Sequence, residues 1–186
     1  MATAGHALLD VGCGDGRRLR DSGAALALGV DLAPQVLAGT PSSNPVVAGD
    51  VLALPFASLS FDVVWCRLVI GHVRTMEPAY AELSRVCRMG GAVIVTDISA
   101  EAAAAGHRCI RPGPDGMTHD IEHFTHSIER QAVAAFDFGL RLERRQDGVV
   151  DPSAMHFYAE AGQLPEYEAQ LGLPLVLALL WRKDTA

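Results

Sequence analysis

The chain has 186 residues, enough for one domain with a sizeable core. It is 49% hydrophobic with a formal charge of −7, which argues against the basic face that nucleic acids require and makes small molecules the expected substrates. No apolar run is long enough to cross a bilayer, no signal-peptide pattern opens the chain, and the four cysteines form no CxxC pair, so we expect a cytoplasmic protein with neither a disulfide framework nor a thiolate metal site.

The first element is the most informative. Ala7, Leu8, Leu9, Asp10 and Val11 read as a buried strand that closes on Gly12, Gly14 and Gly16. Glycines alternating after a strand let the main chain approach a ligand that a Cβ would block. Arg17, Arg18, Leu19 and Arg20 then suit a helix, giving strand, glycine loop and helix, the start of a nucleotide-binding βαβ unit. The dinucleotide spacing G-x-G-x-x-G would place its third glycine at Arg17, and no Gly-Lys-Ser/Thr follows, so the loop suits a nucleoside without a pyrophosphate.

Residues 28–31 form a second short strand ending in Asp31, where a carboxylate can accept both hydroxyls of a ribose diol. Residues 46–49 form a third, followed by Asp50 at an equal interval. Further strands are expected at 61–66, 92–97, 140–145 and 175–182. Thr75 is a candidate N-cap, with Pro78 in the first turn of a helix that buries Tyr80, Leu83, Val86 and Cys87 and stops at Gly90-Gly91. A later helix over 127–138 is expected to bury Ile128, Ala132, Val133 and Phe136. Strand and helix alternate throughout, which predicts an α/β, Rossmann-like, doubly wound fold: a mostly parallel seven-stranded sheet whose last strand is antiparallel. All of 1–186 is read as a single domain.

Residues 8–16, 29–34, 46–56, 61–66 and 85–97 together resemble the successive motifs of class I S-adenosylmethionine-dependent methyltransferases, above all the small-molecule branch that includes the ubiquinone and menaquinone C-methyltransferases. The runs Gly49-Asp50-Val51-Leu52-Ala53-Leu54-Pro55-Phe56 and Ala81-Glu82-Leu83-Ser84-Arg85-Val86-Cys87-Arg88 carry that likeness, although Met89 stands where the branch has proline. The resemblance implies S-adenosyl-L-methionine as cofactor and S-adenosyl-L-homocysteine as product. It implies that Asp10, Gly12, Cys13 and Gly14 lie along the methionine half, that Asp31 meets the ribose, and that Leu32, Asp50 and Val51 surround the adenine. Arg67 would border the sulfonium; a positive charge is unwelcome there, so its side chain is expected to point at the cofactor carboxylate or at substrate. The resemblance implies lid helices before the first strand that are not found ahead of Ala7; the alternatives are a naturally abbreviated enzyme, a truncated one, or one whose lid is supplied by a homodimer mate or a partner subunit.

In this fold the loops after the fourth and fifth strands cap the transferable methyl, which makes 99–126 the expected substrate insertion. It contains His107, His119, His123 and His126, with His72 after strand four able to converge on them. Histidine titrates near neutral pH, so His123 or His126, aided by His72, is a candidate general base for a phenol, enol or amine. His119 and His123, four apart, could alternatively share a helix face as metal ligands, with His126 one turn on, although no resident metal is assigned; a third reading is a solvated loop whose histidines only pack or cap locally. A nicotinamide oxidoreductase would need a Tyr-x-x-x-Lys pair that the chain lacks. The expected activity is methyl transfer to O, N or C of a small aromatic or enolisable acceptor; the alternative is a non-catalytic cofactor-binding subunit.

Overall fold

A computed structural model of the chain describes residues 5–38, 45–107, 109–112, 117–160 and 162–185. The strands are β1 (Ala7–Val11), β2 (Leu26–Asp31), β3 (Val46–Ala48), β4 (Phe61–Arg67), β5 (Cys87–Ile98), β6 (Ile110–Pro112), β7 (Thr118–Asp120), β8 (Leu140–Val149) and β9 (Pro174–Lys183). Seven of them form one sheet in the order β3-β2-β1-β4-β5-β9-β8, while β6 and β7 pair by themselves. The first five strands of the sheet are parallel; β9, last in the chain, runs antiparallel to β5 and β8. The expected sheet is the observed one.

The centre of the sheet follows from composition. Leu8, Leu9 and Val11 of β1 have neighbours on both edges and are buried, as a short β-branched and apolar run between parallel strands should be. Helix α2 (Glu77–Val86) lays Tyr80, Leu83 and Val86 into a core with Val64, Cys66, Val93 and Val95. Trp181 of β9 joins them, its ring edge-on to Tyr80 at 5.8 Å. Trp65 is only partly buried and packs with Leu8 and Leu19 in a smaller cluster.

Several elements depart from their sequence signals for identifiable reasons. Helix α2 takes Met76, not Thr75, at its N-cap and ends at Val86, well before Gly90-Gly91. Its last carbonyls are claimed from outside: Leu59 N–H donates to Arg85 O and Ser60 N–H to Val86 O, so Cys87 turns extended and begins β5. Helix α4 (Ile128–Asp137), N-capped by Ser127, buries Gln131, Ala134 and Ala135, while Val133 and Phe136 are 64% and 62% exposed. The expected stripe is rotated because the Gln131 amide is drawn inward: its Oε1 accepts from the Tyr80 hydroxyl at 2.8 Å and its Nε2 donates to His126 O at 3.0 Å. The glycine loop leads into a short 3-10 turn over Arg17–Ser22, and the helix after β2, here α1 (Pro34–Ala38), is five residues long. Among the described residues, no helix is long and apolar enough to cross a membrane.

Leu83 is fully buried in the seam between α2 and the sheet. Leu83→Ala should therefore cost about 2–5 kcal/mol of unfolding free energy in urea titration; a loss below about 1 kcal/mol would show that the seam is loosely packed.

Candidate active site

Parallel strands bring their carboxyl ends to one edge, and β1, β2 and β4 end there side by side. The loop after β1 crosses the end of β2, with Gly12 and Cys13 N–H both donating to Val30 O at 2.8 and 3.1 Å. Gly12 has φ +74°, and a Cβ on it would lie 2.2 Å from Val69 Cγ2, so no other residue lets the loop pass so close to the turn after β4. Asp31 fixes the loop from the other side. One carboxylate oxygen accepts from Gly14 N–H at 2.8 Å and the other from Ala33 N–H at 2.9 Å.

Between these parts lies a cleft of about 400 Å³ whose walls include Gly12, Asp31, Leu32, Asp50, Val51 and Arg67. Its chemistry suits a nucleoside sulfonium. Each Asp31 oxygen has accepted one hydrogen bond and retains a lone pair for a diol, and Val51 and Val36 supply apolar wall for a base. Asp50 stiffens the third strand end by accepting from Leu52 N–H at 2.9 Å. Leu32 is 71% exposed at the rim. Cys13 lies buried behind the loop near Gly29, and burial, reinforced by Asp10 and Asp31, pushes its thiol up to about 12. Its side chain fills the space behind the loop.

Asp10 and Arg67 form a pair. Arg67 grips Asp10 with two hydrogen bonds, Nε donating to Oδ1 at 3.0 Å and Nη2 to Oδ2, and its guanidinium lies 4.7 Å over the Trp65 ring. Asp10 is fully buried, which raises its carboxyl above the ordinary range, while Arg67 pulls the other way. Arg67 was expected to face a cofactor carboxylate or substrate; it lines the cleft, but its charge is committed to Asp10. The reason is the burial of Asp10, since an unpaired carboxylate there would be far costlier than the pair.

A second cavity of about 510 Å³ adjoins the first and shares Leu68 and His72 with it. Leu68 has φ +54°, a conformation that costs a side-chain-bearing residue about 1–2 kcal/mol. The remaining wall includes Asp97, His107, His123 and Tyr158, the last from α5 (Met155–Glu160). His107 is partly buried, which lowers its pKa and favours the neutral ring.

His123 gains its place through two adjoining elements. The 3-10 turn Ile70–His72 after β4 and the segment 122–126 are bonded along their lengths: Phe124 N–H donates to Gly71 O at 2.6 Å, His72 Nδ1 to Glu122 O at 3.2 Å, and His126 Nε2 to Val73 O at 2.9 Å. Asp97, at the tip of β5, joins both. It accepts from Gly71 N–H, from Ile98 N–H at 2.8 Å and from His123 Nε2 at 2.9 Å. The His123 ring lies flat against Gly71, where a Cβ would stand 2.1 Å from Nε2, and edge-on to His72 with centroids 5.9 Å apart.

The histidine cluster is therefore divided. His72 and His123 come together at the cavity; His126 is buried, bound to Val73 O, and lines only a small separate space, so it does not reach an acceptor. His119 lies in β7 and His123 in an irregular segment, so the shared helix face does not form. No three metal-ligating side chains come together among the described residues. Nothing local in the sequence marks Asp97 as the partner that orients His123. Only its place at the tip of a strand beside a histidine-rich loop pointed that way.

The comparisons agree with this geometry. The family model for a methyltransferase domain matches residues 9–95. The malonyl-[acyl-carrier protein] O-methyltransferase of Pseudescherichia vulneris is 34% identical over 183 residues, covering 88% of this chain and 71% of the relative. That of Enterobacter lignolyticus is 35% identical over 142 residues, or 73% of this chain, but the chain spans only 54% of that relative's length. Among solved structures, an S-adenosylmethionine-dependent methyltransferase from Mesorhizobium loti superposes with a TM-score of 0.73 at 18% identity, covering 98% of this chain and 93% of the other, a likeness of fold. By its sequence relatives, its strand order and the two cavities at its carboxyl edge, the chain belongs to the S-adenosylmethionine-dependent methyltransferase family.

Proposed function

We propose that the chain transfers a methyl group from S-adenosylmethionine to a small aromatic or enolisable acceptor whose nucleophile must first lose a proton. The observation that carries the reading is the meeting of the two cavities at Leu68 and His72, with the His123–Asp97 pair in the wall of the second. In this reading the segment 99–126 is the acceptor-binding insertion.

When bound, the cofactor supplies an electrophilic methyl on a positive sulfur. The backbone at Gly12 and Gly14 holds its methionine half, with Asp10 and Cys13 supporting that loop from behind; Asp31 takes the ribose hydroxyls, and Leu32, Asp50 and Val51 flank the adenine. With its charge given to Asp10, Arg67 can border a sulfonium without strong repulsion. The acceptor's part is orientation and proton removal, since in-line displacement needs little other help.

His123 is the base. A carboxylate only accepts, so in the neutral ring the Asp97 contact fixes the proton on Nε2 and leaves Nδ1 as the free lone pair. Once Nδ1 takes the acceptor's proton, Asp97 faces the imidazolium and stabilises it, as an orienting carboxylate does for a catalytic histidine elsewhere. This arrangement favours a phenol, enol or amine; an ionised carboxylate acceptor would need no base. His72, edge-on to His123, completes the wall at the junction of the cavities. The exposed rim at Leu32 is the place where a second copy or a partner subunit would cover the cofactor.

Three variants test the assignment. Asp31→Ala should weaken S-adenosylhomocysteine binding by about 1–3 kcal/mol in calorimetry; unchanged affinity would remove Asp31 from the site. His123→Ala should lower kcat about 100-fold or more with cofactor affinity intact, and Asp97→Asn should lower it by disturbing the ring's tautomer. An acceptor panel of phenols, enols and amines supplies the turnover assay. Cofactor binding with no turnover across that panel would favour the alternative, a non-catalytic cofactor-binding subunit.

A further inference from the structure

His126 is left unused by the mechanism, yet it is only 9% exposed and one of its nitrogens lacks a partner. A carbonyl can only accept, so Nε2 carries the proton donated to Val73 O. Nδ1 of the neutral ring is then an acceptor, and it is buried with no hydrogen-bond donor in the protein. Beside it is a cavity of about 10 Å³ lined by Ile70, Asp97, Ile98, Phe124, His126 and Gln131. That is room for one water molecule, which such a space holds when two or more polar groups surround it.

The polar groups match a water's needs. On Asp97, Oδ1 has accepted two hydrogen bonds, from Ile98 N–H and His123 Nε2, while Oδ2 has accepted one, from Gly71 N–H. One lone pair on Oδ2 therefore remains, and with His126 Nδ1 it makes two acceptors at one small cavity. Gln131 contributes the complementary group: its Nε2 gives one hydrogen to His126 O and has a second to give.

We propose that one internal water occupies this cavity, donates to His126 Nδ1 and Asp97 Oδ2, and makes His126 a positioning residue for the base. The proposal rests on His123 being that base. Held by the water on Oδ2, Asp97 presents Oδ1 to His123. No proton crosses the water: the acceptor's proton ends on His123 Nδ1, and the Nε2 proton stays between ring and carboxylate. The titratable groups facing His123 are Asp97 from β5, His72 from the turn after β4 and His107 from the stretch after α3 (Ala100–Ala104).

The structural test is a high-resolution crystal structure of the full chain. It should show one ordered water within hydrogen-bond distance of His126 Nδ1 and Asp97 Oδ2. Empty density, or a rotated His126 ring whose Nδ1 meets a protein donor, would overturn the proposal. The kinetic test compares His126→Leu with His126→Gln, whose amide can still donate to Val73 O and present an oxygen to the cavity. His126→Leu should lower kcat about tenfold, the scale seen for partners one shell out from a site, with KM little changed. It should also move the acid limb of the pH–rate profile to higher pH, because Asp97 with one donor fewer holds the imidazolium more tightly; His126→Gln should restore both. Equal losses in the two variants with an unmoved limb would reduce His126 to packing. If His126→Leu does not fold, the wild-type density and the His126→Gln profile still decide. An unaffected rate in His123→Ala would instead refute the base assignment, with the water judged separately from the density.

Discussion

A single buried carboxylate, Asp97, holds together the pieces of chain that wall the larger cavity. It is 6% exposed and takes two backbone N–H groups and one imidazole. Those donors come from the strand it ends, the turn after the neighbouring strand and a segment well beyond, so one side chain locks three pieces of chain into one geometry. Burial makes the arrangement strict, because each lost donor would leave a charge without compensation. Asp31 does the corresponding work on the cofactor side, tying the glycine loop to the start of α1. Two carboxylates at strand tips thus define two adjoining cavities, and the parallel sheet supplies the alignment that sets them side by side.

The division between what the residues announce and what they conceal follows the range of the interactions. The strand ends at Val11 and Asp31 and the glycine loop depend on near neighbours, and the sequence displays them openly. The C-terminus of α2 does not, because the donors that end it come from Leu59 and Ser60 on another element. The buried face of α4 is hidden for a similar reason. A polar Gln131 sits inside because Tyr80 and the His126 carbonyl satisfy its amide, and hydrophobic periodicity alone prefers Val133 and Phe136. The histidine-rich segment is conspicuous as a cluster, but its roles are assigned by Asp97, 26 positions away from His123, and by the Val73 carbonyl that takes His126 out of reach.

The Asp10–Arg67 pair illustrates how the cofactor cleft reconciles opposite demands. The end of β4 brings a guanidinium to the wall of the cleft, and the end of β1 brings a carboxylate to a place without solvent. Each is the remedy for the other, and Trp65 supports the guanidinium face. The pair is a local neutralisation that leaves the wall polar without leaving it charged.

The seat of His123 on Gly71 also limits what that turn can carry. A Cβ at position 71 would stand 2.1 Å from Nε2, so a larger residue there would have to displace the imidazole and part it from Asp97. Glycine in the turn after the fourth strand is thus the condition on which a histidine far downstream lies against the tip of the fifth.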